Sequence, residues 1–273
     1  MTICSARYLV YEARRLMGSV LARCRLHRVR MTQIDGDDVV IKTRHFGSEL
    51  AIWVGNLYLF LQRSDVAVLS SKSWIRWECA IEAATKPDGL RRTDVSIGKH
   101  PGVLITRFVP GRTLRDILKD SRSHMDQKFA AIEWALEALY RLHTIRADWG
   151  SGLEQSVSHG DATVDNVIIR VELQSAQWID FDIRHLPSLS EADRQSDDLR
   201  SLISSTAVIL PVTCYQRLAD MAVASMSDRF LMDRFRKRLI SDWIRPTTFH
   251  LAQAPLSWTA ANALSRSLLD SLN

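Results

Sequence analysis

A chain of 273 residues is long enough to bury a sizeable core, in one large domain or in two lobes. Apolar residues make up 46% and charged residues 25%, a globular balance that argues against a disordered chain. The formal net charge of +5 indicates an anionic partner, but it does not separate nucleotide, nucleic acid and membrane surface.

The N-terminal stretch is unusually basic. Apolar residues at helical spacing over residues 5–24 predict an amphipathic helix. Glu12 is the single acid of residues 1–30, against these arginines: Arg7, Arg14, Arg15, Arg23, Arg25, Arg28 and Arg30. One interpretation is a solvated basic face over a core stripe, and the alternative is a contact surface for anionic lipid or RNA.

Strand and helix patterns both occur in the first half of the chain. Residues 29–34 and 39–42 flank an Asp-Gly turn at residues 35–36, which predicts a β-hairpin. The apolar segment 50–61 predicts an added helix packed on the N-terminal half, and residues 72–85 predict a second helix.

The second half of the chain is richer in helical patterns. Residues 103–105 form a short apolar strand pattern, and Thr113 is a candidate N-cap for a helix that begins at Leu114. Residues 126–143 predict a long helix, and the chain beyond residue 190 is mostly helical in pattern. Strands concentrated before helices predict an α+β protein with two lobes and a hinge near 106–112.

An acidic stretch lies between the helical patterns, at residues 158–182. Two short strands at 167–171 and 177–179, joined by a polar turn, predict a hairpin. Such a hairpin brings Asp161 and Asn166, before its first strand, close to Asp180, after its second. Oxygen ligands gathered in this way suit Mg²⁺, and a carboxylate not bound to metal can accept a proton from a hydroxyl.

The order and spacing of these side chains resemble those of the protein-kinase-like superfamily. The matching pieces are His159-Gly160-Asp161, four residues, Asn166, and then Asp180-Phe181-Asp182. This form is most similar to the aminoglycoside phosphotransferases and the lipopolysaccharide core kinases. The resemblance is specific over about residues 139–203 and weaker outside them.

The resemblance implies a role for each acidic residue. Asp161 is expected to be the catalytic base, and Asn166 and Asp180 are expected to bind Mg²⁺. Asp182 stands in place of a glycine, either as a further metal ligand or as a solvated acid. His159 is expected to brace the loop. The buried acid that holds the loop is expected to be one of two neighbours, Asp197 or Asp198.

The N-terminal half is expected to contact the nucleotide. The resemblance requires a strand lysine paired with a helix glutamate. Lys42 is the candidate lysine, Glu78 is its candidate partner, and Glu82 is the reserve. Phe108 and Val109 are expected to lie near the adenine of ATP.

The chain also departs from the superfamily pattern. It contains no G-x-G-x-x-G loop, and Gly160 replaces the arginine of H-R-D. The segment between Asp182 and Asp197 is too short to offer much platform for a peptide substrate. Arg184 and His185 follow Asp182 and are expected at the surface, the alternative being contact with an anionic acceptor.

These patterns predict a bilobal protein-kinase-like fold, with a small N-lobe over residues 1–107 and a helical C-lobe over residues 108–273. The expected function is ATP- and Mg²⁺-dependent transfer of the γ-phosphoryl group to a hydroxyl of a small molecule, sugar or glycolipid. Two alternatives stay open: an atypical, RIO-like protein kinase, and a pseudokinase that binds a nucleotide or a partner.

The expected location is the cytoplasm, with the membrane periphery as the alternative. The chain has four scattered cysteines: Cys4, Cys24, Cys79 and Cys214. They form no C-x-x-C pair, which is typical of a protein in a reducing compartment. The sequence shows no signal-peptide pattern and no apolar run long enough to span a bilayer. DNA binding is not expected.

Overall fold

The computed structural model describes residues 26–45, 47–61, 64–85, 96–97, 102–148, 154–226, 228–241 and 256–273. The N-terminal helix predicted over residues 5–24 lies outside this part of the chain. Over the described residues the protein is mixed α/β, with small antiparallel sheets and several helices.

The first half of the chain carries the largest sheet. Its elements are β1 (His27–Ile34), β2 (Asp37–Arg44), α1 (Ser48–Leu61), β3 (Val66–Val68), α2 (Ser71–Thr85), β4 (Ser96–Ile97) and β5 (Val103–Arg107). Four of these strands form an antiparallel sheet in the order β1-β2-β5-β4.

The predicted hairpin is confirmed as β1 and β2, with Ile34 paired to Asp37 across the turn. Asp35 and Gly36 both have positive φ, 53° and 87°. This is the left-handed conformation that two-residue hairpin turns require, and Asp-Gly adopts it readily.

The second half is dominated by helices. Its elements are β6 (Arg112–Thr113), α3 (Leu114–Lys119), α4 (Met125–Thr144), β7 (Arg146–Ala147), β8 (Gln155–Ser156), β9 (Val167–Arg170), β10 (Ser175–Trp178), β11 (Ile183–His185), α5 (Glu191–Ala207), α6 (Tyr215–Ala224), α7 (Arg229–Ser241) and α8 (Trp258–Ser271). Thr113 caps α3 as predicted, because its hydroxyl accepts from the backbone N–H of Asp116.

The predicted acidic hairpin is confirmed as β9 and β10, with β6 paired to the outer edge of β9. The connection differs in detail from the simple turn that the sequence predicts. Residues Val171–Leu173 form a 3₁₀ turn, and Gln174 then adopts a left-handed conformation with φ of 46°. As a result the second strand begins at Ser175 rather than at residue 177.

The main core lies under α4 and the β9–β10 hairpin. The face of α4 that carries Phe129, Ile132, Leu136 and Leu139 is buried, together with Val167 and Ile169 on β9. Fully burying side chains of this kind stabilises the fold by about 1.5–3 kcal/mol each. The apolar residues at the centre of the acidic stretch therefore anchor it in the core, and its polar ends lie at the edge of that core.

A second, smaller cluster links α1 to the chain that follows Asp182. It consists of Ile52 and Leu59 from α1, Val66 and Val68 from β3, and Ile183 from β11. Within the described ranges, each helix is too short or too polar to cross a bilayer.

Candidate functional site

The loop between β8 and β9 carries Asp161 and Asn166, and the two side chains are in direct contact. The Asn166 side-chain amide donates to the Asp161 carboxylate at 2.9 Å and to the Asp161 backbone oxygen at 2.9 Å. The backbone N–H of Ile179, one residue before Asp180, donates to the Asn166 carbonyl at 2.9 Å. The hairpin therefore gathers both of its ends, as the sequence predicts.

Asp198 on α5 holds this loop from behind. Its carboxylate accepts from the backbone N–H groups of His159 at 2.7 Å and Gly160 at 2.8 Å, and from the His143 ring at 3.0 Å. Burial disfavours the charged carboxylate, but the histidines around it outweigh burial and lower the pKa of Asp198. Of the two acids that the sequence left open, Asp198 is the one that holds the loop.

His159 braces the loop as a neutral ring. Its Nε2 lies 2.9 Å from the Ile179 carbonyl, which needs a donor, and its Nδ1 accepts from the Asp161 N–H at 3.3 Å. Burial also lowers the pKa of His159. Both ring nitrogens are committed to the backbone, so His159 positions Asp161 and does not act as a base.

Gly160 occupies a position that a larger residue does not fit. Its φ is +79°, and an added Cβ would lie 2.8 Å from the Ile183 carbonyl oxygen and 3.0 Å from the Arg184 backbone nitrogen. The close approach of β11 to the loop therefore explains why position 160 is a glycine.

We expect Gly160→Ala to lower the free energy of unfolding by about 1–3 kcal/mol, because left-handed strain and backbone contact both oppose it. Gly55→Ala is the matched control, since Gly55 lies within α1 and an added Cβ meets open space. That substitution should stabilise the protein by about 0.5–1 kcal/mol. Urea unfolding of both variants measures the difference, and equal stabilities would contradict the close packing at Gly160.

Lys42 on β2 lies between two carboxylates. Its Nζ is 3.5 Å from Glu78 on α2 and 2.9 Å from Asp180. Burial disfavours the charged ammonium, but Glu78 and Asp180 outweigh burial and raise the pKa of Lys42. The candidate lysine and glutamate, Lys42 and Glu78, are therefore in contact although they lie 36 positions apart in the sequence. Through Asp180, Lys42 also contacts the end of the acidic hairpin.

Glu78 also fixes the segment that follows Asp180. Its Oε1 accepts from the Trp74 indole N–H at 3.3 Å, one turn earlier on α2, and from the Phe181 backbone N–H at 3.1 Å. A single carboxylate oxygen therefore ties α2 to the Asp180-Phe181-Asp182 segment and to Lys42.

Asp182 is enclosed rather than solvated. About a seventh of its side chain is exposed, and its carboxylate lies 3.6 Å from the His27 ring on β1. Burial, together with the charges of Asp180 and Asp161, raises the pKa of Asp182 well above its ordinary range. Burial lowers the pKa of His27 to about 4, so its ring is uncharged at neutral pH and does not neutralise Asp182.

The chain after Asp182 is pinned to the first half of the protein. β11 pairs with β3, and the Leu69 N–H donates to the Asp182 carbonyl at 2.9 Å. Arg44 donates to the Leu69 carbonyl at 2.6 Å and stacks over the Trp74 ring. This pairing holds Asp180 and Asp182 at the end of a short, hydrogen-bonded strand.

Asp197 has a different function from its neighbour Asp198. Its carboxylate binds Arg200 at 2.6 Å, Arg238 of α7 at 3.3 Å and the His185 ring at 3.3 Å. The expectation that His185 lies at the surface is wrong, because its side chain is fully buried and also contacts Ser158. Arg184 is half-buried rather than exposed, and burial lowers its pKa to about 10.

Phe108 and Val109 lie away from this cluster. Phe108 follows β5, and its backbone N–H donates to the Asp38 carbonyl at 2.9 Å, so that amide is already used within the sheet. Lys42 pairs across the sheet with Leu104 of β5, and Leu104 lies four residues before Phe108 in the sequence. That separation is about 13 Å along a strand. Both Phe108 and Val109 are partly buried.

The donor set fits a magnesium ion that is bound mostly by water and phosphate. No three histidine, cysteine or acidic side chains converge as a complete metal cage in the described parts of the chain. Mg²⁺ typically takes one or two carboxylates plus phosphate oxygens. Asn166 already donates its amide N–H groups to Asp161, which leaves the amide oxygen as the coordinating atom. Burial first, and then the charges of Asp180 and Asp161, raise the pKa of Asp182, and a bound cation would favour its charged form.

Two residues of the site have no counterpart among the sequence predictions. Arg44 lies two positions after Lys42 on β2, so the two side chains share a strand face, and strand alternation could have indicated that Arg44 belongs to the site. His27 enters because β1 pairs it opposite Arg44, and its ring packs against Trp74 at 4.8 Å. Nothing in the sequence around His27 indicates that placement.

Comparison with known proteins assigns no family. No family model matches the chain, and no curated protein matches it. The case for a function therefore rests on the geometry of Lys42, Glu78, Asp161, Asn166 and Asp180.

Proposed function

We propose that this protein is a kinase-like phosphotransferase that moves the γ-phosphoryl group of ATP to a hydroxyl group. The observation that carries the proposal is the position of Lys42, between Glu78 and Asp180, while Asp161 and Asn166 are joined at the start of the same hairpin. A strand lysine, a helix glutamate, a catalytic-loop asparagine and a downstream aspartate are the parts that protein kinases use.

Each residue has a distinct role in this proposal. Asp161 accepts the proton of the acceptor hydroxyl, and the backbone and Asn166 contacts hold its carboxylate in place. Lys42 neutralises phosphate charge, and Glu78 keeps its ammonium group directed toward the hairpin. Asn166 and Asp180 are the candidate holders of Mg²⁺, with Asp182 beside them. The ion would neutralise charge on the β- and γ-phosphates.

The face of the sheet around Lys42 supports a nucleotide in this position. Lys42 is paired opposite Val29, and Val40 is paired opposite Met31, so all four side chains lie on one face. Val29 and Met31 are 63% and 60% exposed on that face. An exposed apolar surface beside a buried lysine suits a flat base followed by phosphates.

The proposal includes the bilobal arrangement and the division near residue 107. The four-stranded sheet with α2 would form the smaller lobe, and the helices from α4 onward would form the larger one. Lys42 and Glu78 come from the first part, and Asp161, Asn166 and Asp180 from the second. A nucleotide between them would contact both parts, as ligands commonly do at domain boundaries.

The acceptor in this proposal is a small molecule, a sugar or a glycolipid. The segment after Asp182 is short, and its first residues are used in β11, which pairs with β3. That pairing leaves little backbone with which to bind an extended peptide.

Lys42→Met tests the nucleotide part of the proposal. It should weaken Mg-ATP binding and lower phosphoryl transfer by roughly 10²-fold or more, because a fixed charge opposite the phosphates is lost. The matched control is Lys119→Met, on the exposed end of α3. Isothermal titration with Mg-ATP and transfer of labelled γ-phosphate measure the two effects. Equal binding and transfer by both variants would remove Lys42 from the site.

Two observations favour a second candidate, a pseudokinase that binds nucleotide without transferring phosphate. Lys42 contacts Asp180 more closely than Glu78, and the sequence has no Gly-rich loop. In a pseudokinase Mg-ATP would raise the melting temperature, yet neither ATP hydrolysis nor transfer to a broad acceptor panel would follow. Autophosphorylation measured by intact mass would instead favour the RIO-like alternative.

A further inference from the structure

The outer face of α1 is an exposed apolar surface. Its large side chains are 44–78% exposed: Leu50, Trp53, Val54, Leu57, Phe60 and Leu61. At 100° per residue these six positions fall within about 120° of the helix circumference, so they form one stripe. We call this stripe the α1 apolar face.

The opposite side of α1 is fixed to the protein. Ile52 and Leu59 pack on β3 and β11, and the Asn56 side chain both donates to the Val68 carbonyl at 2.9 Å and accepts from its N–H at 2.8 Å. The helix is therefore held in one orientation, and its outward stripe is a permanent feature of the surface.

The apolar composition of the exposed side of α1 is not that of a helix face in contact with water alone. A surface helix normally carries polar residues on its outer side, and contiguous exposed patches of large apolar side chains mark sites of interaction. Here the outer side carries a tryptophan, a phenylalanine and three leucines. These residue types also form the apolar side of helices that lie in a membrane interface.

The sequence before Leu26 is basic, and Leu26 itself lies beside α1. Leu26 packs in the same small cluster as α1, and its carbonyl accepts from the His45 N–H just before the helix. The 25 residues that precede Leu26 carry Glu12 as their single acid and five arginines: Arg7, Arg14, Arg15, Arg23 and Arg25.

We propose that the α1 apolar face docks the protein on an anionic lipid surface, to which the basic sequence before Leu26 adds electrostatic attraction. An apolar face alone binds membranes weakly, and stable peripheral binding takes a second signal such as a basic segment. The 14 residues of α1 span about 21 Å, which suits a helix lying in the interface and falls short of crossing it.

Charge favours lipid over a second copy of the chain. Pairing two α1 apolar faces would bury the apolar side chains but would give the arginines no counter-charge. Anionic headgroups satisfy both features at once. The proposal goes beyond phosphotransfer and does not depend on it, because none of its residues belongs to the site around Lys42.

The test is flotation of the full chain with phosphatidylcholine vesicles, with and without phosphatidylglycerol. We expect binding to the mixed vesicles that weakens as salt increases. The double variant Trp53→Ser/Leu57→Ser should lower the partition coefficient about tenfold or more, because two exposed apolar anchors are lost. The control is Leu173→Ser/Val212→Ser, which removes two exposed apolar side chains elsewhere and should bind like the wild type.

Thermal melting and light scattering complete the experiment. Both double variants should melt like the wild type, because all four side chains are exposed. Failure of the wild type to float with anionic vesicles, or equal flotation of both double variants, would overturn the proposal. A wild-type dimer that Trp53→Ser/Leu57→Ser dissociates, without vesicle binding, would assign the face to a second copy and overturn it as well.

Discussion

Asp161→Asn is expected to lower phosphoryl transfer by roughly 10²–10⁴-fold while Mg-ATP still binds. Asparagine keeps the shape of the side chain but cannot accept the proton of the acceptor hydroxyl. In the proposed function the phosphates are contacted by Lys42, which lies 2.9 Å from Asp180, and this substitution changes neither of those residues. Single-turnover transfer and nucleotide titration on the same preparation separate the two steps.

The matched control is Asp233→Asn, which makes the same chemical change at an exposed position on α7. It should transfer phosphate at the wild-type rate. If Asp161→Asn were as active as the control, Asp161 would not be the base. If Asp161→Asn lost nucleotide binding and transfer together, the residue would act in binding.

Asp198→Ala is expected to lower the free energy of unfolding by about 3–5 kcal/mol, because it removes a buried charge from hydrogen-bonded partners. Two loop N–H groups and the His143 ring would lose their acceptor at once. The loop that carries Asp161 would lose its support from α5, so activity should fall as well.

The effect of Asp198 should depend on pH in a defined direction. The pKa of Asp198 is lowered in the folded protein, so its contribution is present above the ordinary value of 3.8 and is lost as pH falls through the folded value. Urea unfolding at neutral pH should therefore show the full loss in free energy of unfolding for Asp198→Ala relative to the wild type. At acidic pH the difference between the two proteins should become smaller. A difference no larger than that of the exposed control Asp233→Ala would contradict the role of Asp198.

Local signals in the sequence predicted the elements that carry the site. The Asp35-Gly36 turn fixed the first hairpin, since few other pairs accept positive φ at both positions. Two short strand patterns joined by a polar turn indicated the second hairpin, which the structure contains as β9 and β10. Both predictions concern residues close in sequence, where turn chemistry and strand alternation decide the register.

Pairings between distant segments escaped prediction. His27 reaches Asp182 because β1 pairs with β2, and β11 reaches β3 across more than 110 residues. Asp197 and Asp198 are adjacent acids on α5, and only the direction of each side chain decides which one holds the loop. His185 looked like a surface residue because the sequence shows neither of its partners.

α1 combines a confirmed prediction with a missed feature. The apolar segment 50–61 does form a helix, and its residues Ile52 and Leu59 pack inward. A segment that is apolar on all sides is usually buried on all sides. Its outer half is exposed instead, because the described chain packs on one side of the helix only.

The measurement that most directly tests the account is a crystal structure with Mg²⁺ and a non-hydrolysable ATP analogue. The account predicts a magnesium ion bound by the Asn166 amide oxygen and the Asp180 carboxylate, with Lys42 on the phosphates and Asp161 facing the γ-phosphate. A nucleotide bound elsewhere, or an ion that touches neither Asn166 nor Asp180, would contradict it.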